Sequence, residues 1–460
     1  MVELTQKIAE VVMTGSKTVV TRFPPSPTGF LHIGNLRTAL YNFLFAKQNH
    51  GKFIFRLEDT DRARYLPEAE KNIFDTLKVF GLNWDEGPFR QSERLAVYKK
   101  YAEILSAKGL VYEDAGALRF KMAKEGSSKF TDIIRGEIEI ENKDQEDFVI
   151  LKSDGYPTYN FAHLIDDHDM GVNYVIRGEE FIPSMPKYLA LHKALNFALP
   201  QYAHLPLLLN KNRAKLSKRE GDVAVLDFLN KGYLVEALTN FVALLGWHPS
   251  KSEKEIYSLA ELVEEFKLEE VQKGGAIFDL DKLDWFQHVW AVRLYEENKG
   301  KPESHPLYPR LKNSFEILST FSIDKFELIF PHIIERLGPP ADMNKLVEEF
   351  DFFFTEPHYS AQALVWKKSD AKTTKAALAA LKIFLANLPD ENWSGELVEK
   401  SIKEFIKESG YDAGTVLWPL RVALTGKEKS MGPFEIMDIL NRNGNRELIF
   451  NRIEKAINLL

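Results

Sequence analysis

The apolar positions between residues 18 and 64 change period twice, and each change marks an element. Thr18 to Phe23 is β-branched or aromatic at most positions, which predicts a strand, and Pro24, Pro25 and Pro27 stop it. A turn follows through Thr28, Gly29 and His32-Ile33-Gly34-Asn35. Asn35 can cap a helix whose apolar residues Leu36, Leu40, Phe43 and Leu44 recur at helical spacing. Gly51 ends that helix, and Phe53-Ile54-Phe55-Arg56-Leu57 returns as a strand that delivers Glu58, Asp59 and Asp61 to the same sheet edge. Open α/β sheets bind ligands at that edge.

Further on, Ile73, Phe74, Leu77 and Phe80, then Leu95, Tyr98, Ile104 and Leu105, predict amphipathic helices from Pro67 to Gly81 and from Ser92 to Gly109, with Trp84 to Pro88 a turn between them. Residues 111 to 150 alternate as half-exposed strands do, in Leu118 to Met122, Glu137 to Glu141 and Phe148 to Leu151. His204 to Leu209 reads as a buried strand and Asn210 to Gly221 as a polar loop. After Asp222 the strands stop. Leu234, Leu238, Phe241 and Leu245, then Leu283, Phe286 and Trp290, keep helical spacing, Lys299 to Pro306 is a linker, and Phe321 to Leu460 reads as all helical.

Composition narrows the class. A chain of 460 residues, 45% apolar and 28% charged, is long enough for three or more domains of ordinary soluble globular make-up. It has no cysteine, which excludes disulfides and thiolate zinc sites and agrees with a reducing cytoplasm. Met1 to Lys17 lacks the pattern of a secretion signal, and no apolar run approaches the roughly 18 residues of a membrane span, so a soluble, cytoplasmic protein is expected. The net charge of −7, with the acidic excess mostly beyond residue 240, argues against a protein that binds nucleic acid through bulk charge. Any RNA must be held by local patches.

The helix N-terminus behind His32 is a good place for a phosphate, yet the chain has neither G-x-G-x-x-G after a strand nor G-x-x-x-x-G-K-[ST]. Its own loop, P-S-P-T-G-x-x-H-I-G-N, followed by L-E-D-T-D-R and later by Lys215-Leu216-Ser217-Lys218-Arg219, resembles the class I aminoacyl-tRNA synthetases, and within them the bacterial-type glutamyl branch. The resemblance implies a Rossmann-like catalytic core over residues 16–110 and 151–222. It also implies a short acceptor-end-binding insertion over 111–150, a helical stem-contact domain over 223–300 and an all-helical anticodon-binding domain over 301–460. Bacterial relatives carry a longer helical segment before the counterpart of Thr131-Asp132-Ile133-Ile134-Arg135-Gly136. Here Ala123 to Lys129 must bridge that gap, which reduces the grip expected on the acceptor stem.

The residues themselves suggest the amino acid. Arg177 follows Val175-Ile176 at a strand end, and Arg22 lies at the same edge, so two cations suited to carboxylates converge there while Glu58 can hold an ammonium group. One acid and two arginines match glutamate, and aspartate equally. Tyr159 and His163, four apart on a helix, point the same way. By resemblance, Arg22 and Tyr159 meet the side-chain carboxylate, Glu58 and Arg177 the backbone groups, and Ser26 lines the site; relatives vary at the His163 position. Asp166-Asp167-His168-Asp169 invites a metal reading, but so close a cluster more often marks a solvated loop or helix end, and no metal site is expected.

The implied ATP site takes in Thr28, Gly29, His32, Gly34, Asn35, Lys215, Ser217 and Lys218, with His32, Lys215 and Lys218 catalytic and Asn35 at the position of the motif's second histidine. The implied substrates are ATP with magnesium, L-glutamate and tRNA-Glu, without zinc, and the enzyme is expected to be a monomer. Residues considered for the RNA face are Lys367, Lys368, Arg421, Lys427, Lys429, Arg442 and Arg446. Alternatives are a glutaminyl enzyme, the truncated relative that glutamylates a tRNA base, and a non-catalytic nucleotide-binding regulator. Whether tRNA-Gln is also charged is not decided by these residues.

Overall fold

The computed structural model describes residues 18–216, 224–250, 252–298, 301–317, 326–340 and 343–460. The chain divides into two compact units, Met1–Phe286 and Gln287–Leu460.

The first unit is built on parallel strands. β1 (Val20–Phe23), β2 (Lys52–Leu57) and β3 (Glu86–Arg90) form one ladder in that order, with Arg22 beside Ile54. β6 (Ser127–Asp132), β7 (Gly136–Glu141), β9 (Tyr174–Gly178) and β10 (Gln201–Leu205) form a second in the order β7-β6-β10-β9, parallel except for the β6-β7 hairpin. Asn173 joins the two. Its Oδ1 accepts the Val20 N–H at 2.8 Å, and its own N–H donates to the Val20 carbonyl at 3.1 Å. The strand ends carrying Arg22, Glu58 and Arg177 are thereby brought to one edge. β4 (Val111–Asp114), β5 (Ala117–Phe120) and β8 (Phe148–Leu151) make a separate antiparallel sheet, whose Phe120, Phe148 and Ile150 share one apolar core with Tyr98, Phe161 and Leu191. Burying each such side chain contributes about 1.5–3 kcal/mol.

The helix Ile33–Gln48 runs between β1 and β2 with Leu36, Ala39, Leu40 and Leu44 fully buried. Its cap differs from the sequence expectation. His32 is the N-cap, with Nδ1 accepting the Asn35 N–H at 3.2 Å, so Asn35 lies in the first turn. Gly51 sits at the helix end because β1 passes so close that a Cβ there would lie 2.1 Å from the Val19 carbonyl oxygen.

Three strands were not legible as such. Glu86 to Arg90, expected as part of a turn, pairs as an edge strand, a position where a sheet tolerates proline. Ser127 to Asp132 overlaps the stretch expected only to bridge a gap, yet joins the core sheet through β10. Ala276–Ile277 pairs with Leu208–Leu209 well after the strands were expected to stop. The two long helices were placed well, at Pro67–Val79 and Leu95–Ala107.

Among the described residues of the second unit the regular elements are all helices, with no strand. Its helices Ala371–Ala386, Ala413–Thr425 and Arg446–Leu459 bury Leu378, Leu420 and Ile453. Arg452, 1% exposed, donates to the carbonyls of Leu424 and Phe352, both at 2.7 Å, and so caps the second of these helices from inside. Among the described residues no helix is long and apolar enough to cross a membrane.

Candidate active site

The N-terminus of the helix Ile33–Gln48 opens on a cleft of about 260 Å³ lined by His32, Gly34, Asn35, Thr38, Glu180 and Lys215, among others. In the neutral His32 ring, an Nδ1 that accepts from Asn35 leaves the proton on Nε2, a donor beside the helix N-terminus. Lys215 comes from the opposite wall, on a hairpin closed by the Leu216 N–H to the Leu208 carbonyl at 2.8 Å and turned by Arg213 in the left-handed region. Cations and N–H donors facing across a cleft suit a polyphosphate. Gly34 allows the close approach of His32, whose ring would lie 3.1 Å from any Cβ there. Thr28 and Gly29 are half-buried and not among the cleft-lining residues. Ser217 and Lys218 lie outside the described residues.

Arg22, Glu58, Tyr159, His163 and Arg177 come together in one buried cluster. Tyr159 and His163 stack with ring centroids 4.7 Å apart, His163 Nδ1 donates to the Tyr159 carbonyl at 2.7 Å, and Tyr188 closes edge-on against His163 at 4.7 Å. Burial and then the Arg177 charge push His163 down to about 3, so the ring is neutral with Nε2 left as an acceptor. Arg177 lies over Tyr188 at 4.7 Å and Phe181 at 5.0 Å. It has no carboxylate partner among the described residues, and its Nη1 is buried without a hydrogen bond. A buried cation left in that state is poised for an anion. Ser26 is exposed.

Two residues outside the expected set organise this cluster. Arg22 donates through Nε to both oxygens of Asp167 at 3.2 Å. Arg56 donates to Asp167 at 2.8 Å and to Glu58 at 3.2 Å. The acidic run, expected on a solvated loop or helix end, closes the helix Tyr159–Asp169, with His168 and Asp169 exposed but Asp166 and Asp167 turned inside the protein. Asp166 is 0% exposed, takes Gln91 at 2.8 Å, Arg94 at 2.7 Å and the Tyr98 hydroxyl at 2.9 Å, and belongs to the helix Tyr159–Asp169. Burial alone would raise the Asp167 carboxyl, but Arg22 and Arg56 outweigh it and hold it well below its ordinary 3.8. For Glu58 the balance goes the other way, and burial lifts it to about 7 against the pull of Arg56 and Arg22. The signal for Arg56 was present in the sequence: a lone arginine in the strand Phe53-Ile54-Phe55-Arg56-Leu57 must be paired once the strand is buried.

In the second unit, three of the residues considered for RNA are already engaged: Lys427 with Asp351 at 2.7 Å, Arg446 with Asp390 at 2.6 Å and Arg442 with Asp438 at 3.4 Å. Lys367 stacks over Trp366 at 5.0 Å.

Residues 18–117 and 113–285 match the family described as tRNA synthetases class I (E and Q), catalytic domain, and residues 306–457 match an anticodon binding domain. The glutamate–tRNA ligase of Chlorobium phaeovibrioides is 38% identical over 504 residues, covering 97% of this chain and 95% of that protein. That of Dehalococcoides mccartyi strain CBDB1 is 37% identical over 471 residues, covering 92% and 95%. Among solved structures, a glutamate tRNA ligase from Elizabethkingia meningosepticum, crystallised in complex with its amino acid, superimposes with a TM-score of 0.82 at 32% identity, covering 96% of this chain and all of that one. The parallel-sheet core, the helix N-terminus at the His32 cleft and the near full-length likeness place this chain in the class I tRNA synthetase family for glutamate and glutamine.

Proposed function

We propose that the chain is a glutamate–tRNA ligase that activates L-glutamate with magnesium-bound ATP and transfers it to the 3′ end of tRNA-Glu. The observation that carries the reading is the pairing of two sites on one sheet edge: the cleft between His32 and Lys215, and the buried cluster in which Arg177 has no carboxylate partner among the described residues. In the first step a glutamate α-carboxylate oxygen attacks the α-phosphorus of ATP, the bond to the β-phosphate bridging oxygen breaks, and pyrophosphate leaves. A tRNA ribose hydroxyl then attacks the adenylate carbonyl, loses its proton and releases AMP. No side chain of the cluster serves as a nucleophile. The acceleration comes from positioning and from charge: the helix N-terminus and His32 Nε2–H on one side of the phosphates, Lys215 and Lys218 on the other.

In the amino-acid cluster, Arg177 takes the α-carboxylate, Glu58 the α-ammonium, and Arg22 with Tyr159 the side-chain carboxylate. Asp167 grips Arg22 by its Nε edge and so fixes the plane of the guanidinium. His163 is the acceptor in the pocket wall. Residues 111–150 receive the acceptor end, and the second unit reads the anticodon. The enzyme acts as a monomer in the cytoplasm.

The deciding experiment is pyrophosphate exchange with no tRNA, with whole tRNA-Glu and with an acceptor minihelix. The expected result is little exchange until tRNA is added, because the 3′ end supplies the differential binding that selects the productive arrangement. Exchange that runs freely without tRNA refutes the requirement, and none under any condition refutes the enzyme reading. Parallel acylation of tRNA-Gln tests the glutaminyl alternative.

A further inference from the structure

Arg177 lacks a carboxylate partner among the described residues but is not held by aromatic rings alone. Its neighbour across the β9-β10 ladder is His204, fully buried, and Arg177 Nε donates to His204 Nε2 at 3.2 Å. Because arginine only donates, Nε2 must be the accepting nitrogen, which puts the ring proton on Nδ1. That nitrogen faces Asp132 Oδ2 at 2.7 Å. Asp132, 1% exposed at the end of β6, is immobilised in turn: its Oδ1 accepts the N–H groups of Ile134 at 3.0 Å and Arg135 at 2.9 Å, and its Oδ2 the His204 N–H at 3.1 Å. Burial and then the hydrogen bond to Asp132 act in opposite senses on His204, and burial prevails, so the ring stays neutral and keeps its acceptor. Asp132 holds its charge because the His204 ring and the N–H groups around it outweigh its own burial.

We propose that Asp132 and His204 are positioning residues for Arg177: the carboxylate selects the Nδ1–H tautomer, the accepting Nε2 fixes the guanidinium, and the remaining Nη1 edge is thereby presented to the amino acid. The proposal rests on the assignment of Arg177 to the amino-acid carboxylate. It also places the charge that neutralises Arg177 one residue away, behind a neutral ring, so the cation is oriented without having its binding edge occupied. A carboxylate in direct contact would compete with the ligand.

The test uses the full-length enzyme with tRNA and reads the Michaelis constants for glutamate and ATP and kcat in aminoacylation. In Asp132→Asn the amide oxygen keeps the two turn N–H groups, the amide N–H₂ faces Nδ1, and the ring must move its proton to Nε2, donor against donor with Arg177. The expected result is a glutamate KM raised about 10- to 100-fold, the range for stranding a buried donor, with ATP KM and kcat nearly unchanged. ¹⁵N NMR of His204 should change from the Nδ1–H to the Nε2–H pattern. A second pair avoids the turn altogether: His204→Phe, a ring with no acceptor, should reproduce the loss, and His204→Gln, whose carbonyl can still accept, should recover at least about tenfold of it. The proposal is overturned if Phe and Gln behave alike, if ATP and glutamate constants rise together, or if the tautomer is unchanged in Asp132→Asn. Arg177→Ala separates the two readings: no effect on glutamate KM refutes the Arg177 assignment, whereas a loss there with wild-type behaviour in Asp132→Asn refutes the positioning pair alone.

Discussion

Replacing Glu58 by Gln should weaken glutamate binding and stabilise the protein at the same pH, and both magnitudes follow from the carboxyl's surroundings. Glu58 is buried and accepts one hydrogen bond from Arg56 Nη2 at 3.2 Å, and its ordinary value of 4.5 is lifted to about 7. Only the ionised form attracts an α-ammonium group. Its ionised fraction rises from about one-tenth at pH 6 to about nine-tenths at pH 8, so wild-type KM for glutamate should fall about tenfold across that interval. Glu58→Gln removes the charge while keeping an acceptor for Arg56. A charge-assisted hydrogen bond contributes about 1.5–3 kcal/mol, so the variant should bind glutamate about 10- to 150-fold more weakly at pH 8, and the deficit should shrink about tenfold by pH 6. Stability moves the opposite way. An acid raised in the folded state contributes stability that is complete below its unfolded value and is lost as pH rises through the folded one. The interval from 4.5 to about 7, at about 1.36 kcal/mol per pH unit, corresponds to about 3 kcal/mol that the variant should regain at pH 8, as an upper bound. Glutamate KM from pH 6 to 8.5 and urea unfolding at pH 6 and 8 measure the two effects. A variant whose glutamate KM follows the same pH curve as wild type, or one that is less stable at pH 8, would refute the argument.

Three further outcomes are expected. Asp167→Ala leaves Arg22 and Arg56 buried without their shared carboxylate, and chemical denaturation at pH 7 should show a loss of about 3–5 kcal/mol. Because the folded Asp167 carboxyl lies below 3.8, that contribution is present above pH 3.8 and fades as pH falls further, so wild type and variant should converge in acid. Lys218→Ala should slow single-turnover adenylate formation by about 10²–10³-fold with little change in glutamate KM, and an intact rate would make Lys218 ordinary surface. Gly51→Ala forces a methyl group against the Val19 carbonyl oxygen, where a Cβ would sit at 2.1 Å, and a melting temperature equal to that of wild type would contradict that contact.

The likeness to a synthetase and the placing of Arg22, Glu58 and Arg177 at strand ends were legible because they rest on local signals: a helical period after a proline stop, short apolar strands, and polar residues where strands give out. The helix Ile33–Gln48 and the pairing of Tyr159 with His163 follow from spacing alone, since a helix fixes its own neighbours. Partners that meet only through the fold were not legible. Arg22 finds Asp167 across 145 residues, Arg56 finds it across 111, and Asp132 finds His204 across 72. A parallel sheet joins strands through long crossovers, so a charge in a buried strand announces that it must be paired but not with what. For that reason Asp166 and Asp167 read as solvent-facing acids, and Asp132 as one residue of a motif. Weak strands such as Ser127–Asp132 and Glu86–Arg90 have little pattern of their own and become strands because a neighbouring strand offers its hydrogen bonds. The sequence by itself determined which chemistry is available at the sheet edge; the tertiary structure decided which carboxylates orient Arg22 and Arg56 and left Arg177 without a carboxylate partner among the described residues.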